Sequence, residues 1–390
     1  MRAVELFVGA GGLAMGTSNA GFRHEVLVEW NKDACDTILA NKARGVHPVA
    51  DWPLVQADVT QFDFSSVAVG VDLLAGGPPC QPFSLGGKHR GHRDHRNLFP
   101  EMMRAVRELQ PRAVLIENVK GLLRESFARY FEYIVLQLAH PELKPKDDER
   151  WESHWARLER HHTSGSKEGL SYRVVFQLLN SADYGVPQRR ERLLIVGIRA
   201  DQGVEFSFPE ATHSREQLVH DQWVTGDYWD RHRVAKRKRP GPPRPVSERC
   251  ARAAGRQTKP WATVRDAISD LPDPERRPNK ARAVTNHLFN PGARSYAGHT
   301  GSPLDEPAKT LKAGVHGVPG GENMLALPDG SVRYFTVREA ARLQTFPDRY
   351  TFQGCWSEAM RQLGNAVPVH LGSAVATRIA TLLQPQPKAA

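Results

Sequence analysis

The residues that could do chemistry begin at Cys80. It stands in Gly76-Gly77-Pro78-Pro79-Cys80-Gln81-Pro82-Phe83-Ser84, directly after the apolar run 71–75. Two glycines and two prolines stop that run, so it reads as a buried strand leading into a loop that can continue neither as strand nor as helix. In open α/β sheets ligands bind at the carboxyl ends of the strands, so a cysteine held there between prolines is placed as a nucleophile would be. Taken alone, the loop reads equally well as a turn with an incidental thiol. A second apolar run, 113–116, ends in Glu117-Asn118-Val119 and brings a carboxylate to the same kind of edge. Ahead of a third run, 193–198, stands Gln188-Arg189-Arg190-Glu191-Arg192. Such an arginine cluster is either a solvated strand flank or a clamp for an anion or a carbonyl.

These groups need a sheet to position them, and the chain opens on one. A strand at 3–8 runs into Gly9-Ala10-Gly11-Gly12-Leu13, and a helix at 12–20 follows, closed by Gly21. Strand, glycine turn and helix make the first half of a nucleotide-binding unit. The glycines let the backbone approach a ligand, and the helix N-terminus faces anionic groups. The next strand, 26–28, ends at Glu29, 20 residues past Gly9, where an acid normally takes ribose hydroxyls. Trp30 beside it offers a ring to an adenine. Asn31 caps a helix in which Cys35, Ile38 and Leu39 lie three and four apart, which assigns Cys35 to the core. A third strand ends near Asp58, either a turn residue or an acceptor for an adenine amino group.

After Cys80 the segment 86–96 is glycine-hinged, basic and without apolar anchors, the composition of a mobile lid. His89, His92 and His95 recur there every three residues, but the interleaved arginines suit phosphates better than a cation, and no metal site is expected. A helix at 98–109 precedes the strand that ends in Glu117. Residues 140–170 are polar, with Trp151 and Trp155 four apart, and read as an inserted helical excursion of no legible role. Residues 172–179 alternate as a strand. From 201 to 332 proline and glycine are frequent and apolar runs short, which marks a second, smaller, loop-rich domain with one short helix at 263–268. Thr336 and Glu339 form a capping box on a helix that runs to 344 and stops at Pro347. After Gln362-Leu363-Gly364-Asn365-Ala366-Val367-Pro368, a terminal helix carries Leu371, Val375, Ile379 and Leu382 on one face. The expected division is 1–199, 200–332 and 333–390, the last segment returning to the first domain. The fold class is α/β, with a Rossmann-like, doubly wound, mostly parallel sheet.

Composition sets the bounds. A chain of 390 residues with 40% hydrophobic content can bury a core in each of about two domains. The N-terminus does not read as a signal peptide, and no apolar stretch approaches the ~20 residues of a membrane span, so a cytoplasmic protein is expected. The four cysteines are scattered, with no Cys-x-x-Cys pair, which points away from disulfides and zinc clusters. Of a net charge of +10, the segment 231–259 alone carries 11 Lys and Arg against Glu248. That segment is either a solvated basic linker or a surface that neutralises nucleic-acid phosphates, and the clustering favours the second.

These blocks, in this order, resemble the bacterial-type DNA (cytosine-5)-methyltransferases. Phe7-Val8-Gly9-Ala10-Gly11-Gly12 resembles that family's cofactor turn, Gly77-Pro78-Pro79-Cys80-Gln81 its nucleophile loop and Glu117-Asn118-Val119 its acid. Gln188-Arg189-Arg190-Glu191-Arg192 resembles its arginine motif, and Gln362-Leu363-Gly364-Asn365-Ala366-Val367-Pro368 its final one. The match covers the chain from Glu5 to about Leu371, apart from 140–170 and much of the second domain.

The resemblance implies an S-adenosylmethionine-dependent methyltransferase fold whose second domain recognises the target. Cys80 is then the nucleophile, Glu117 the group at N3 of the base, and Arg190 and Arg192 hold the base carbonyl and the adjacent backbone. The cofactor residues it implies are Phe7, Ala10, Gly11, Gly12, Leu13, Glu29, Trp30, Asp58, Val59, Pro79, Leu98, Asn365 and Val367. Ser84, Arg90, Arg93, Gln188 and Thr310 are expected to meet DNA. The implied partner is double-stranded DNA, with a restriction endonuclease acting separately, no membrane, and a monomeric enzyme at the nucleoid. A nicotinamide dehydrogenase would share the glycine turn but has no use for the Pro-Cys and Glu-Asn-Val blocks. An RNA cytosine-5 methyltransferase on the same fold and a catalytically silent DNA-binding protein are the alternatives.

Overall fold

The computed structural model describes residues 1–79, 97–165, 169–241, 258–297, 300–313 and 323–384. Cys80, Ser84, Arg90, Arg93, the histidines at 89, 92 and 95, the expected lid and much of the basic segment lie outside the described residues. The chain divides into two units, one of 1–179, 191–209 and 372–390 and the other of 180–190 and 210–371.

The first unit is built on a seven-stranded sheet. Its strands are β1 (Arg2–Leu6), β2 (Arg23–Glu29), β3 (Leu54–Gln56), β4 (Leu73–Gly76), β5 (Ala113–Val119), β6 (Tyr172–Asn180) and β7 (Glu191–Arg199), in the order β3-β2-β1-β4-β5-β7-β6. The strands from β3 to β5 in that order are parallel, and the order reverses between β1 and β4, the switch point where such sheets bind ligands. Helices cover the sheet, so the inner strands are buried on both faces and read as unbroken apolar runs: Leu73, Leu74, Ala75 and all of 113–116 are inaccessible to solvent. β7 runs antiparallel to β5, with Arg192 opposite Val119 and Leu194 opposite Glu117. Its first residues therefore lie at the edge where β4 and β5 end.

The helices follow local chemistry. α1 (Gly12–Asn19) starts from Gly11 in the left-handed region (φ 82°), and Gly21 (φ 88°) lies just past its end. A β-carbon on Gly16 would come within 2.8 Å of the Gly372 backbone, so α1 and the Val369–Leu383 helix touch through glycine. α2 (Lys32–Ala43) is capped by Asn31, whose side chain accepts from the Ala34 amide at 3.0 Å. Cys35 and Ile38 are buried, whereas Leu39 is exposed, because the apolar stripe is narrower than the spacing suggests. α3 (Phe99–Leu109) and α4 (Ala128–Ala139) precede the expected excursion, which forms α5 (Trp151–Thr163). Buried His154 of α5 bonds the Tyr133 hydroxyl at 2.7 Å and the Leu143 carbonyl at 2.6 Å, and Glu149 pairs with Arg157 at 2.8 Å. The excursion is thus a packed element of the first unit.

The second unit is loop-rich, with a three-stranded sheet of Ser302–Pro303, Met324–Ala326 and Val332–Tyr334. Thr336 and Glu339 form the expected capping box on the Val337–Leu343 helix, and Arg333 grips both oxygens of Glu339 at 2.6 and 2.7 Å. Thr263 and Asp266 form a second box, which the sequence reading passed over. The units part at 180, 191, 210 and 372 rather than at 200 and 333. Segment 333–371 stays with the second unit because its side chains reach back into it: Arg338 donates to the Thr285 carbonyl and Arg342 pairs with Asp270. The stretch Trp356–Leu383 has the length and apolarity of a membrane span, but it breaks between Asn365 and Val369, and Leu371, Val375 and Ile379 are fully buried within the protein.

Candidate active site

Two strand tips and the start of a third build the first half of the site. β4 ends at Gly76, and residues 77–79 lead over the edge toward Cys80. Next to them β5 ends in Glu117, whose carboxylate meets the Arg192 guanidinium at 2.7 Å, with both residues only 8% exposed. In so dry a place the pair is electrostatically strong, and removing one partner leaves the other charge buried. Two features fix the arrangement. A β-carbon on Gly77 would lie 3.0 Å from Glu117 Oε2, so the carboxylate is packed closely against the bare glycine. Asn118 donates to the Pro78 carbonyl at 3.3 Å, tying the loop to β5. The expectation that neighbouring strands bring their ends to one edge holds for β4 and β5. The thiol itself lies outside the described residues.

The second half lies at the tips of β1 and β2. Phe7 and Gly9 have positive φ (58° and 56°), and the chain turns through Ala10 and Gly11 into α1. Glu29, 8% exposed, accepts from the Gly9 amide at 2.7 Å through one oxygen and from the Asn31 amide at 2.8 Å through the other. A carboxylate has about four acceptor positions, so Glu29 can take ribose hydroxyls while it braces the turn. No side chain among the described residues caps α1, which suits an anionic group at its N-terminus. Trp30 is 73% exposed, a free ring face beside Glu29. Asp58 caps the short turn Val59–Gln61, its Oδ1 accepting from Thr60 at 2.9 Å; Val59 is buried behind it. Leu98 stands at the N-cap position of α3, and Pro79 is half-buried. This donor set fits an adenosyl group bearing an amino-acid tail, as S-adenosylmethionine does.

In the second unit, two assignments need correction. Gln188, expected at DNA, is fully buried: its Oε1 accepts from the Leu311 amide at 2.9 Å and its Nε2 donates to the Leu343 carbonyl at 3.2 Å. Arg190, expected with Arg192 at the base carbonyl and the adjacent backbone, is also fully buried, and its guanidinium donates to the carbonyls of Leu311 (2.9 Å), Gly364 (2.5 Å) and Ala366 (3.0 Å). Side chains committed in this way hold backbone, not ligand. Thr310 is half-buried and donates to the Arg189 carbonyl at 2.8 Å, which leaves its oxygen able to accept. Asn365 is exposed at the end of its helix, and Val367 is buried.

Sequence reasoning missed the seat at Gly77 and a buried cluster behind the glycine turn. Thr17 Oγ1 lies 3.1 Å from His24 Nε2, which is 3.5 Å from the Glu5 carboxylate. Burial pushes the Glu5 carboxyl above its usual range, and the contacts with His24 and Thr17 offset this only in part. A polar residue inside the first apolar run was the available signal. The core assignment of Cys35 holds: burial, then the Glu29 and Asp36 charges, push its thiol up to about 12, which makes it a poor nucleophile.

A sheet of this order, with its acid-braced glycine turn at the switch point, defines a Rossmann-like protein built to hold a nucleoside-bearing ligand at that edge. Similar folds occur in the Dnmt2 methyltransferase of S. pombe (TM-score 0.53, 17% identity, 99% of each chain) and in an E. coli prophage protein described as a DNA modification methyltransferase (TM-score 0.59, 21% identity, 99% of this chain and 100% of that one). The family model for C-5 cytosine-specific DNA methylases matches residues 1–142 and 159–381, and the chain belongs to that family. It is an S-adenosylmethionine-dependent DNA cytosine methyltransferase, as the motif blocks implied. Among its relatives, the Type II methyltransferase M.Eco47II of Escherichia coli is 31% identical over 386 residues, covering 97% of this chain and 79% of the relative. M.PspPI of Psychrobacter sp. is 32% identical over 388 residues, covering 99% and 80%. The interval between the two matched stretches, 143–158, contains the first part of α5.

Proposed function

We propose that the chain is a sequence-specific modification enzyme in which Cys80, Glu117 and Arg192 activate one cytosine of a DNA site. C5 of cytosine is too weak a nucleophile to accept a methyl group unaided. The Cys80 thiolate adds to C6, and electron density moves toward C5 and N3. Glu117, sharing a proton with N3, stabilises the charge as it develops, while Arg192 fixes Glu117 and offers its remaining donors to the base carbonyl. S-adenosylmethionine, when bound, supplies the electrophilic methyl group. Loss of the C5 proton to a base then lets the C6–S bond break, and Cys80 leaves as the thiolate. Addition at C6 needs an open ring face, so the cytosine must leave the stack.

The observation that carries this reading is the Glu117–Arg192 pair, seated against Gly77 three residues before Cys80. For the cofactor, Glu29 takes the ribose, Trp30 and Asp58 the adenine, and the turn from Phe7 to Leu13 the amino-acid tail. Val59, Pro79, Leu98, Asn365 and Val367 are assigned to the same ligand by the family resemblance. The first unit is the catalytic one, and the second reads the DNA site in the major groove, with Thr310 on the backbone of the extruded nucleotide. Ser84, Arg90 and Arg93 are assigned to DNA from the basic, glycine-hinged sequence in which they stand. The relatives named as Type II methyltransferases support a restriction-modification role beside a separate endonuclease. The enzyme works as a monomer in the cytoplasm, at the nucleoid. Bisulfite sequencing of plasmid DNA from cells expressing the chain tests this. Protected cytosines should share one short sequence, and an unmodified plasmid with abundant folded protein would refute it.

A further inference from the structure

Gln188 and Arg190 lie in the arginine motif, yet neither reaches solvent. The segment that bears them pairs with another, because Arg189 donates to the Ala308 carbonyl at 2.8 Å and Ala308 donates to Pro187 at 2.9 Å. Gln188 and Arg190 then bind both faces of Leu311, one at its amide and the other at its carbonyl. The same guanidinium also holds the carbonyls of Gly364 and Ala366, which flank Asn365. Gly364 closes the junction: a β-carbon there would come within 2.4 Å of the Ala313 amide, so segments 311–313 and 364–366 are in direct backbone contact.

Such a junction costs a buried charge and a buried amide, offset by the three carbonyls that the guanidinium meets and the one that the amide meets. It joins two stretches with different assignments. Thr310 is assigned to DNA, and Asn365 and Val367 to the cofactor. We propose that Gln188 and Arg190 are positioning residues that lock these stretches of the second unit into one body, so that order gained at one by its ligand is shared by the other. The proposal deepens the methyltransferase reading and rests on it. By linkage, a coupling of this kind acts equally on both ligands.

Arg190→Lys tests it. One ammonium keeps the charge but cannot span three carbonyls. Arg338→Lys is the control, since Arg338 is another buried arginine of the second unit, bound to carbonyls of Thr285 and Tyr350. Affinities for S-adenosylmethionine and for a DNA duplex are read by titration calorimetry, independently of turnover. Arg190→Lys should weaken both by about tenfold, while kcat at saturation stays within about threefold. Thr310→Ala should weaken DNA binding in the wild-type background and add nothing to Arg190→Lys. Should Arg190→Lys fail to fold, Gln188→Met breaks the same junction without moving a charge and should weaken both affinities in the same way. A loss of kcat with unchanged affinities, a Thr310 effect that simply adds, or an equal loss of affinity in Arg338→Lys overturns the proposal. A wild-type protein that binds both ligands without methylating DNA would instead sink the methyltransferase reading.

Discussion

Replacing Gly77 by alanine should slow the chemistry without unfolding the protein. Gly77 is not in the left-handed region, so the substitution tests contact rather than backbone strain. The new β-carbon would stand 3.0 Å from Glu117 Oε2, and an ordinary contact begins at 3.4 Å, so the carboxylate must retreat by about 0.4 Å. Elsewhere the free end of a glutamate would swing aside at little cost, but here Arg192 holds the other oxygen at 2.7 Å. Overpacking of this size costs about 1 kcal/mol of stability. Misplacing a catalytic group by about 1 Å can cost roughly 100-fold in rate, so about 0.4 Å corresponds to roughly five- to tenfold, or about 1 kcal/mol in the barrier. Steady-state methylation at saturating DNA and cofactor, alongside thermal melting, separates the two effects. Combining Gly77→Ala with Glu117→Gln should give little further loss, because the alanine acts only through the carboxylate. A Gly77→Ala enzyme with wild-type kcat, or one whose defect multiplies with Glu117→Gln, would refute the reasoning.

Glu29→Ala removes the brace from the Gly9 amide together with the expected ribose acceptor. It should raise KM for S-adenosylmethionine by about ten- to 100-fold while changing kcat far less, as read from initial rates at varied cofactor concentration. Glu117→Gln should lower kcat by about 100-fold or more, with duplex affinity retained in a mobility-shift titration. Burial raises the Glu5 carboxyl, so this group's contribution to stability is complete below the unfolded value of 4.5 and is lost as pH rises through the folded one. Glu5→Gln, neutral throughout, should therefore melt above the wild type at about pH 8 and lose that advantage as the pH approaches 4.5; an advantage independent of pH would contradict this.

What the sequence disclosed was written in local chemistry. The glycines after β1, the Asn31 cap, the Thr336 and Glu339 box and the run ending in Glu117 each involve residues within a few positions of one another, and all stand as read. The direction of β7 was not legible, because an apolar run carries no arrow. Yet that direction is what sets Arg192 against Glu117. Burial of Gln188 and Arg190 was hidden for a related reason. A polar, arginine-rich pentapeptide reads as surface, and the carbonyls that satisfy it come from 311, 343, 364 and 366, more than a hundred positions downstream. The unit boundary at 372 has the same origin, since the bonds that keep 333–371 with the second unit reach back to Thr285 and Asp270.

The central claim is that Cys80 forms a covalent bond to the target base. A duplex carrying 5-fluorocytosine at the methylated position cannot lose a C5 proton, so the enzyme should be trapped after methyl transfer while still bonded at C6. With S-adenosylmethionine present, wild-type protein should give a denaturant-resistant adduct whose cross-linked peptide contains Cys80, and Cys80→Ser should give none while still binding the duplex. An adduct at another residue, or a Cys80→Ser protein that methylates DNA at the wild-type rate, would contradict the account.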